Sequence, residues 1–431
     1  MTKPKFTVIL PVKNRAEYLE HTLRTCMLQE YENLQIIVSD DASSDDTKMV
    51  VDKLIQKDSR IKYFLHETPI GMRENFEFAI NQVDSGFLIA LGGDDGLLPG
   101  GIEGMYRILK DTNLQLLTWP AALYSFPGVM DLNGGLIIYH KRGNRIIESK
   151  KFLNNQARNL WYLNDIECPM FYVKGVVDID LVKKVKQRSN DGSFYSCATP
   201  DGFSGIVLAG EVEKFYFSSE PFSIFGMSSS SQGLAYLSND EKAKRDSEIF
   251  FNDSLKRPMH RELASQPYSP LITLMTADYL LTCKDLNGWP GNFQNINFKK
   301  VIDNSIKELA DGNFGEDRIV RELNILKNIA NMHGLDDYFV KVINKTKRTI
   351  FRGQYTGNGL SMNALFFDAK QLGINNIVDA AYSAKNIYKL HLLFNLRSVF
   401  YAVINSVVFR LKSRKKGNSY LSEILTTHSL K

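Results

Sequence analysis

The sequence predicts an α/β protein, a doubly wound and mostly parallel sheet followed by a mainly α-helical region. Two observations carry this. Over the first ~120 residues, short unbroken apolar runs alternate with segments of helical periodicity, the pattern of strands covered by helices on both faces. Beyond about residue 235 the apolar residues recur only at helical spacing.

The strands come first. Phe6–Leu10 is stopped by Pro11, and Ile36–Val38 by Asp40-Asp41; Lys62–Leu65 and Phe87–Leu91 follow. Between them, Tyr18, Leu19, Leu23, Cys26 and Met27 share one helix face. Val50, Val51, Leu54 and Ile55 do the same after Ser43-Ser44-Asp45-Asp46, where Ser43 and Asp46 have capping-box spacing. Phe76, Ala79, Ile80 and Val83 mark a third helix. Further on, Gly134-Gly135 precede a strand at Leu136–Tyr139, and Ser228–Ser231 with Gly233 read as a loop. Helical patterns then run through Leu271–Leu281, Ile302-Ile306-Leu309 and Val320–Ile329, interrupted at Asn287–Gly291. The expected division is residues 1–235, 236–380 as a helical domain, and 381–431 as a basic amphipathic tail.

Composition narrows the class. At 431 residues, two or three domains are expected, and 44% hydrophobic content supports a real core. The net charge of +5 is unevenly spread: from residue 384 onward nine basic residues oppose Glu423 alone, so that tail carries +8 and the rest of the chain −3. A body that is not basic, with no nucleic-acid motif, argues against nucleic-acid binding. Cys26, Cys168, Cys197 and Cys283 form no CxxC pair, which argues against a zinc site or disulfide scaffold and fits a reducing cytoplasm. No signal-peptide pattern opens the sequence, and no run of about 18 apolar residues would span a bilayer.

In an open parallel sheet, ligands bind beyond the carboxyl ends of the strands. Four polar clusters fall there: Pro11–Arg15, Asp40-Asp41, Gly71-Met72-Arg73 and Gly92–Gly96. Adjacent carboxylates repel unless a cation neutralises them, and a divalent metal shared with a diphosphate does so. Asp94-Asp95, in a glycine-rich turn, suit that task. Asp40 suits another, accepting a base N–H or a ribose hydroxyl. Taken singly, each pair also reads as an N-cap or a plain turn; four at one rim favour a site.

The segments Val8–Asn14, Ile37–Ser43 and Gly93–Pro99 resemble those of family 2 glycosyltransferases with the GT-A fold, a Rossmann-like sheet domain. The resemblance is close over about 5–110 and looser to about 225. It implies that Pro11 and Asn14 line a nucleotide pocket, with Asp40-Asp41 at the base and Arg73, after Gly71, near the base or diphosphate. Asp94 and Asp95 would correspond to the acidic motif that holds Mn²⁺ or Mg²⁺, Asp94 being favoured as the ligand. Many members carry an acidic residue where Gly92 stands here. Inverting members also use a carboxylate base about a hundred residues further on; Asp201, 106 residues after Asp95 in Thr199-Pro200-Asp201-Gly202, is the best match. It also reads as a helix N-cap, with Asp191, Asp165, Glu167 and Glu211 as alternatives.

The function so implied is inverting transfer of a sugar from a nucleotide-diphosphate donor, UDP-sugar favoured, to a glycan or lipid-linked acceptor in cell-surface polysaccharide synthesis. A nucleotidyltransferase on a similar fold and a non-catalytic membrane-associated assembly protein are the rival readings. In the tail, Leu392–Leu411 carry apolar residues at helical spacing beside Arg397, Arg410 and Lys412–Lys416. This predicts contact with an anionic membrane surface, hence a peripheral position on the inner face of the cytoplasmic membrane. A helix packed on the second domain or in an oligomer interface is the alternative.

Overall fold

The structure, a computed structural model, describes residues 3–129, 132–139, 143–229, 254–312, 314–351, 358–361, 363–390 and 414–421, with a few single positions between them. The N-terminal domain is built from β1 (Phe6–Val12), α1 (Ala16–Met27), β2 (Leu34–Asp40), α2 (Thr47–Ile55), β3 (Ile61–Leu65), α3 (Met72–Asn81) and β4 (Phe87–Ala90). It continues through β5 (Gly96–Leu97), α4 (Gly101–Thr112), β6 (Leu116–Thr118), β7 (Ala122–Ser125), β8 (Gly135–Tyr139), β9 (Arg145–Glu148) and α5 (Ser149–Asn159). Then come β10 (Gly175–Asp178), α6 (Ile179–Arg188), α7 (Asp201–Glu211), β11 (Lys214–Phe217) and β12 (Ser223–Met227).

The main sheet has eight strands in the order β3-β2-β1-β4-β10-β6-β11-β9. β1 pairs in parallel with β2 and with β4, and β2 with β3. β10 runs antiparallel to both its neighbours. A short reversed strand beside the last parallel one gives the sheet a GT-A layout. Alternation holds even where both faces are buried. Ile9 and Ile37 enter the core on one face, and Val8, Leu10, Ile36 and Val38 the core on the other. On that second face Leu19, Leu23 and Cys26 of α1, at i, i+4 and i+7, are fully buried.

The expected capping box fails. α2 starts at Thr47, and Asp46 makes no side-chain cap; Asp45 accepts from the Thr47 N–H instead. Ser43 is drawn away because its hydroxyl accepts from the Asn14 N–H at 2.8 Å. A long-range hydrogen bond has displaced the local one.

The helical region contains α8 (Ile272–Lys284), α9 (Phe298–Asp311), α10 (Glu316–Met332) and α11 (Asp336–Lys345). Its apolar residues are continuous with the first face of the sheet domain: Leu274, Leu280 and Leu281 share one core with Phe203, Ile206 and Val207 of α7. After β13 (Lys347–Phe351) the chain returns to the N-terminal domain through β14 (Gly359–Leu360), β15 (Ala364–Asp368) and α12 (Ile377–Leu390). β15 pairs antiparallel with β8, closing a six-stranded second sheet ordered β14-β15-β8-β7-β12-β5. Ile377, Ala380, Ala381 and Ala384 of α12 pack on Leu98 and on Ile224 of β12. The expected boundary at 380 thus falls inside a helix, and residues 359–390 complete the sheet domain instead of extending the helical one.

Within the expected tail helix, Leu392–Leu411, the described positions 404 and 407 are helical, and beyond it Arg414–Tyr420 form β16, paired with β13. The remainder of that helix, from 391 to 413, lies outside the described residues apart from 404 and 407. Among the described residues, no helix is long and apolar enough to cross a membrane.

Candidate active site

The four clusters meet at one rim. Val12 stands opposite Asp40 and Ile9 opposite Ala90, so the chain leaves β1, β2 and β4 side by side. Pro11, partly buried, faces Ser39. Asn14 takes a left-handed φ of 52°, which asparagine tolerates better than most residues. Its carboxamide oxygen accepts the Ser44 N–H at 2.8 Å, pinning the loop after β2. Arg15 donates to the carbonyls of Lys13 and Asn14, and its aliphatic stem lies on Gly93. The loops after β1 and β4 therefore touch.

Asp40 is 0% exposed. One oxygen accepts the Ser43 N–H at 2.8 Å and the other the Tyr63 hydroxyl at 2.7 Å. Its carboxylate shapes the loop in this conformation, where the resemblance implied contact with a base. Asp41 accepts from Lys13 Nζ at 3.1 Å and from the N–H groups of Ile70 and Gly71, which fixes the start of α3. Arg73, near that start, donates to the Tyr195 carbonyl through Nε at 2.7 Å and also through a second nitrogen. It therefore ties α3 to the segment leading into α7 instead of standing open in the crevice.

Asp94 and Asp95 separate clearly. Asp95 is 0% exposed; its oxygens accept the Gly92 N–H at 2.6 Å and the Gly226 N–H at 2.8 Å. Burial, and then the Asp94 charge, push its carboxyl well above the usual range. Asp94 is 7% exposed and accepts the Ser228 hydroxyl on Oδ2 at 2.6 Å. Its Oδ1 has no hydrogen-bond partner among the described residues. One free carboxylate oxygen fits a hard divalent cation that takes its other ligands from phosphate and water. Among the described residues no three His, Cys, Asp or Glu side chains gather into a complete cage.

The glycine at 92 now has a reason. A Cβ there would lie 2.8 Å from the Tyr172 hydroxyl, 2.9 Å from Asp95 Oδ2 and 3.1 Å from Asp94 Oδ1. The tyrosine hydroxyl, with the two carboxylates, occupies the space a side chain at 92 would need. Burial raises the Tyr172 phenol, followed by the fields of Asp95, Asp201 and Asp94. Tyr172 therefore packs against the acidic turn and lies within the field of Asp201. A cavity of about 330 Å³ is lined by Tyr18, His21, Phe126 and Ser229, among others, the last next to the Ser228 that donates to Asp94.

Asp201 opens α7. It is partly buried, and its carboxylate accepts no hydrogen bond from any described residue. Burial pushes it up to about 6. The four alternatives are all engaged. Burial raises Asp191, but hydrogen bonds from Ser189, Ser193 and Arg257 outweigh it and hold the group well below the usual range. Asp165 accepts from Gln156 at 2.7 Å, Glu167 pairs with Arg145, and Glu211 takes both arms of Arg188. Asp201 alone of the five combines an unpartnered carboxylate with a neutral-range pKa.

Comparison with known proteins finds relatives of the N-terminal part of the chain. Residues 7–154 match the model described as "Glycosyl transferase family 2". Over that stretch, about a third of the chain, the sequence is similar to family 2 glycosyltransferases. A Campylobacter jejuni protein described as a GalNAc(5)-diNAcBac-PP-undecaprenol beta-1,3-glucosyltransferase is 43% identical over 108 residues, 24% of this chain and 34% of that protein. An uncharacterized glycosyltransferase of Haemophilus influenzae is 26% identical over 114 residues, 26% of this chain and 46% of that protein. The chain thus spans a third to a half of the length of these relatives. Among solved structures, S. aureus TarS 1-349 in complex with UDP aligns with TM-score 0.41 and 15% identity, over 84% of this chain and 95% of that one. Mannosyltransferase PcManGT from Pyrobaculum calidifontis, in complex with GDP-Man and Mn2+, aligns with TM-score 0.40 and 12% identity, over 80% and 88%.

Sequence reasoning missed three kinds of residue. Tyr172 had no periodicity or motif around it. Ser228 was legible only as part of a serine-rich loop. Gly226 lay unnoticed in a strand, although a Cβ there would fall 1.7 Å from the Asp94 carbonyl oxygen.

Proposed function

We propose that the protein is an inverting, metal-dependent glycosyltransferase that moves a sugar from a nucleoside-diphosphate donor, UDP-sugar by preference, to a hydroxyl of a glycan or lipid-linked acceptor. The observation that carries this is the acidic turn at 94–95, packed against the Tyr172 hydroxyl, with the unpartnered Asp201 near enough for its charge to act on the same phenol.

In this reading the donor lies along the rim from Asn14 and Asp41 to Asp94. A Mn²⁺ or Mg²⁺ ion held by Asp94 and the diphosphate would offset the negative charge that grows on the leaving group. Asp201 removes the proton from the acceptor hydroxyl. The acceptor oxygen bonds to the anomeric carbon as the bond to the nucleoside diphosphate breaks, and the configuration inverts. Asp95 holds the turn through Gly92 and Gly226 and touches no substrate.

The acceptor reading draws on the Campylobacter relative, whose name specifies an undecaprenyl diphosphate-linked glycan. Basic residues Lys347, Arg348, Arg414, Lys415 and Lys416 fall on the paired strands β13 and β16, a concentration of positive charge suited to anionic headgroups. The test is release of nucleoside diphosphate from UDP-, GDP- and TDP-sugars with Mn²⁺. Asp94→Asn is expected to lower kcat by about 10²-fold, the scale of losing a preorganised charge partner. Turnover unchanged in that variant overturns the reading.

A further inference from the structure

We propose that Tyr279, on α8 of the helical region, is a positioning residue for Asp201, so that the helical region closes the catalytic pocket. The inference rests on the reading of Asp201 as base.

The contact is direct. The Tyr279 hydroxyl lies 2.5 Å from Thr199 Oγ1, two residues before Asp201. Pro200 offers no side-chain cap to α7, so its first turn is held from outside. A Cβ on Gly202 would stand 2.3 Å from the Tyr162 ring and 2.6 Å from the Tyr279 ring; only a bare backbone lets both rings lie on that turn. The rings meet edge to face at 5.3 Å.

Beneath them the hydroxyls of Tyr162, Tyr268 and Tyr279 point to Met275 Sδ at 3.9, 3.2 and 3.6 Å. All four side chains are buried. They form a plug whose parts come from both sides, Tyr162 from the sheet domain and the rest from the helical region.

Among the described residues, the groups around Asp201 carry no compensating positive charge. Tyr162, Tyr172, Tyr195, Tyr268 and Tyr279 all lie within its field. The fields of Asp94 and Asp95 also reach Tyr172, and those of Arg321 and Glu322 reach Tyr268. Asp278, next to Tyr279, faces Cys197 and His260. Arg188 of α6 is paired to Glu211 at the far end of α7, and Lys186 of α6 to Glu77 of α3. On the α5 side Asp165 accepts from Gln156 and Asn155. Desolvation therefore acts on Asp201 unopposed, and a plug that excludes water sets where it titrates.

The experiment uses the full chain with UDP-glucose and Mn²⁺, following UDP release against pH, and in parallel the ¹³C carboxyl titration of Asp201. Tyr279→Phe and Thr199→Val keep the packing volume. Each is expected to lower kcat about tenfold with KM within about twofold, and the double variant to be no worse than either single, because both remove one contact. Tyr279→Ala admits water, and the Asp201 titration is expected to fall by at least one pH unit toward that of an ordinary carboxylate. A wild-type titration midpoint in Tyr279→Ala overturns the proposal whether or not UDP-glucose is the true donor. Full turnover in Asp201→Asn would instead remove the base reading, leaving the Tyr279 contact as packing alone.

Discussion

Asp94 and Asp95 are neighbours in sequence and opposites in use. Asp95 accepts two backbone N–H groups; replacing it by Asn sets an amide donor against one of them. Asp95→Asn is therefore expected to destabilise by about 1–3 kcal/mol, the cost of an unsatisfied buried group. Asp94→Asn should leave the thermal midpoint nearly unchanged while lowering turnover by about 10²-fold, and calorimetry of the two variants separates the roles. Asp201 offers a second test without substrate. Its carboxyl titrates near 6 when folded against an ordinary 3.8, so between these values the native state holds more protons than the unfolded chain. Its contribution to stability is therefore present below about pH 4 and lost as pH rises through 6. Asp201→Asn should unfold at a higher temperature than wild type above pH 6, the difference vanishing below pH 4. An equal gap at every pH would refute the assigned environment. Asp94 and Asp201 could be named as candidates because their spacing resembles a known pattern. Tyr172 was not, because its place depends on a turn and a helix start that meet only in the fold.

At the scale of elements, the long parallel strands were readable because burial on both faces leaves unbroken apolar runs, as in Phe6–Leu10 and Ile36–Val38. The second sheet was not. β5, β7 and β14 span two to four residues, too few to show alternation, and β15 finds β8 across more than two hundred residues. The capping box at Ser43 failed for the same reason, a distant partner. β12 shows what such pairing holds in place. Gly226 lets that strand lie against the Asp94 carbonyl while its own N–H holds Asp95. Gly226→Ala forces the two apart; a loss of about 1–3 kcal/mol is expected from the overpacking, with weaker Mn²⁺-dependent turnover. Differential scanning calorimetry with an activity assay on one preparation checks both.

Across the whole molecule, the fold is interleaved. The helical region shares a core with α7, and the segment after it returns to finish the sheet domain. Removing residues 358–431 is expected to strip the apolar backing from Leu98 and Ile224 and to expose the free edge of β8. The shortened chain should show a lower thermal midpoint and faster proteolytic cleavage, where a truly separate C-terminal domain would leave the rest unaffected. The expected boundary at 380 misplaced this segment because composition records where apolar residues are dense, not which core receives them.

The return of β15 to β8 also has a temporal side. During synthesis, β8 is complete at Tyr139, but its neighbour emerges only after Asp368. At ~5–20 residues per second that interval lasts roughly 10–50 s. Throughout it the growing polypeptide displays a strand of sequence GLIIY with one side unpaired, the kind of margin that invites adhesion between chains. Crowded polysomes and rapid overexpression should therefore harm this protein more than dilute refolding does.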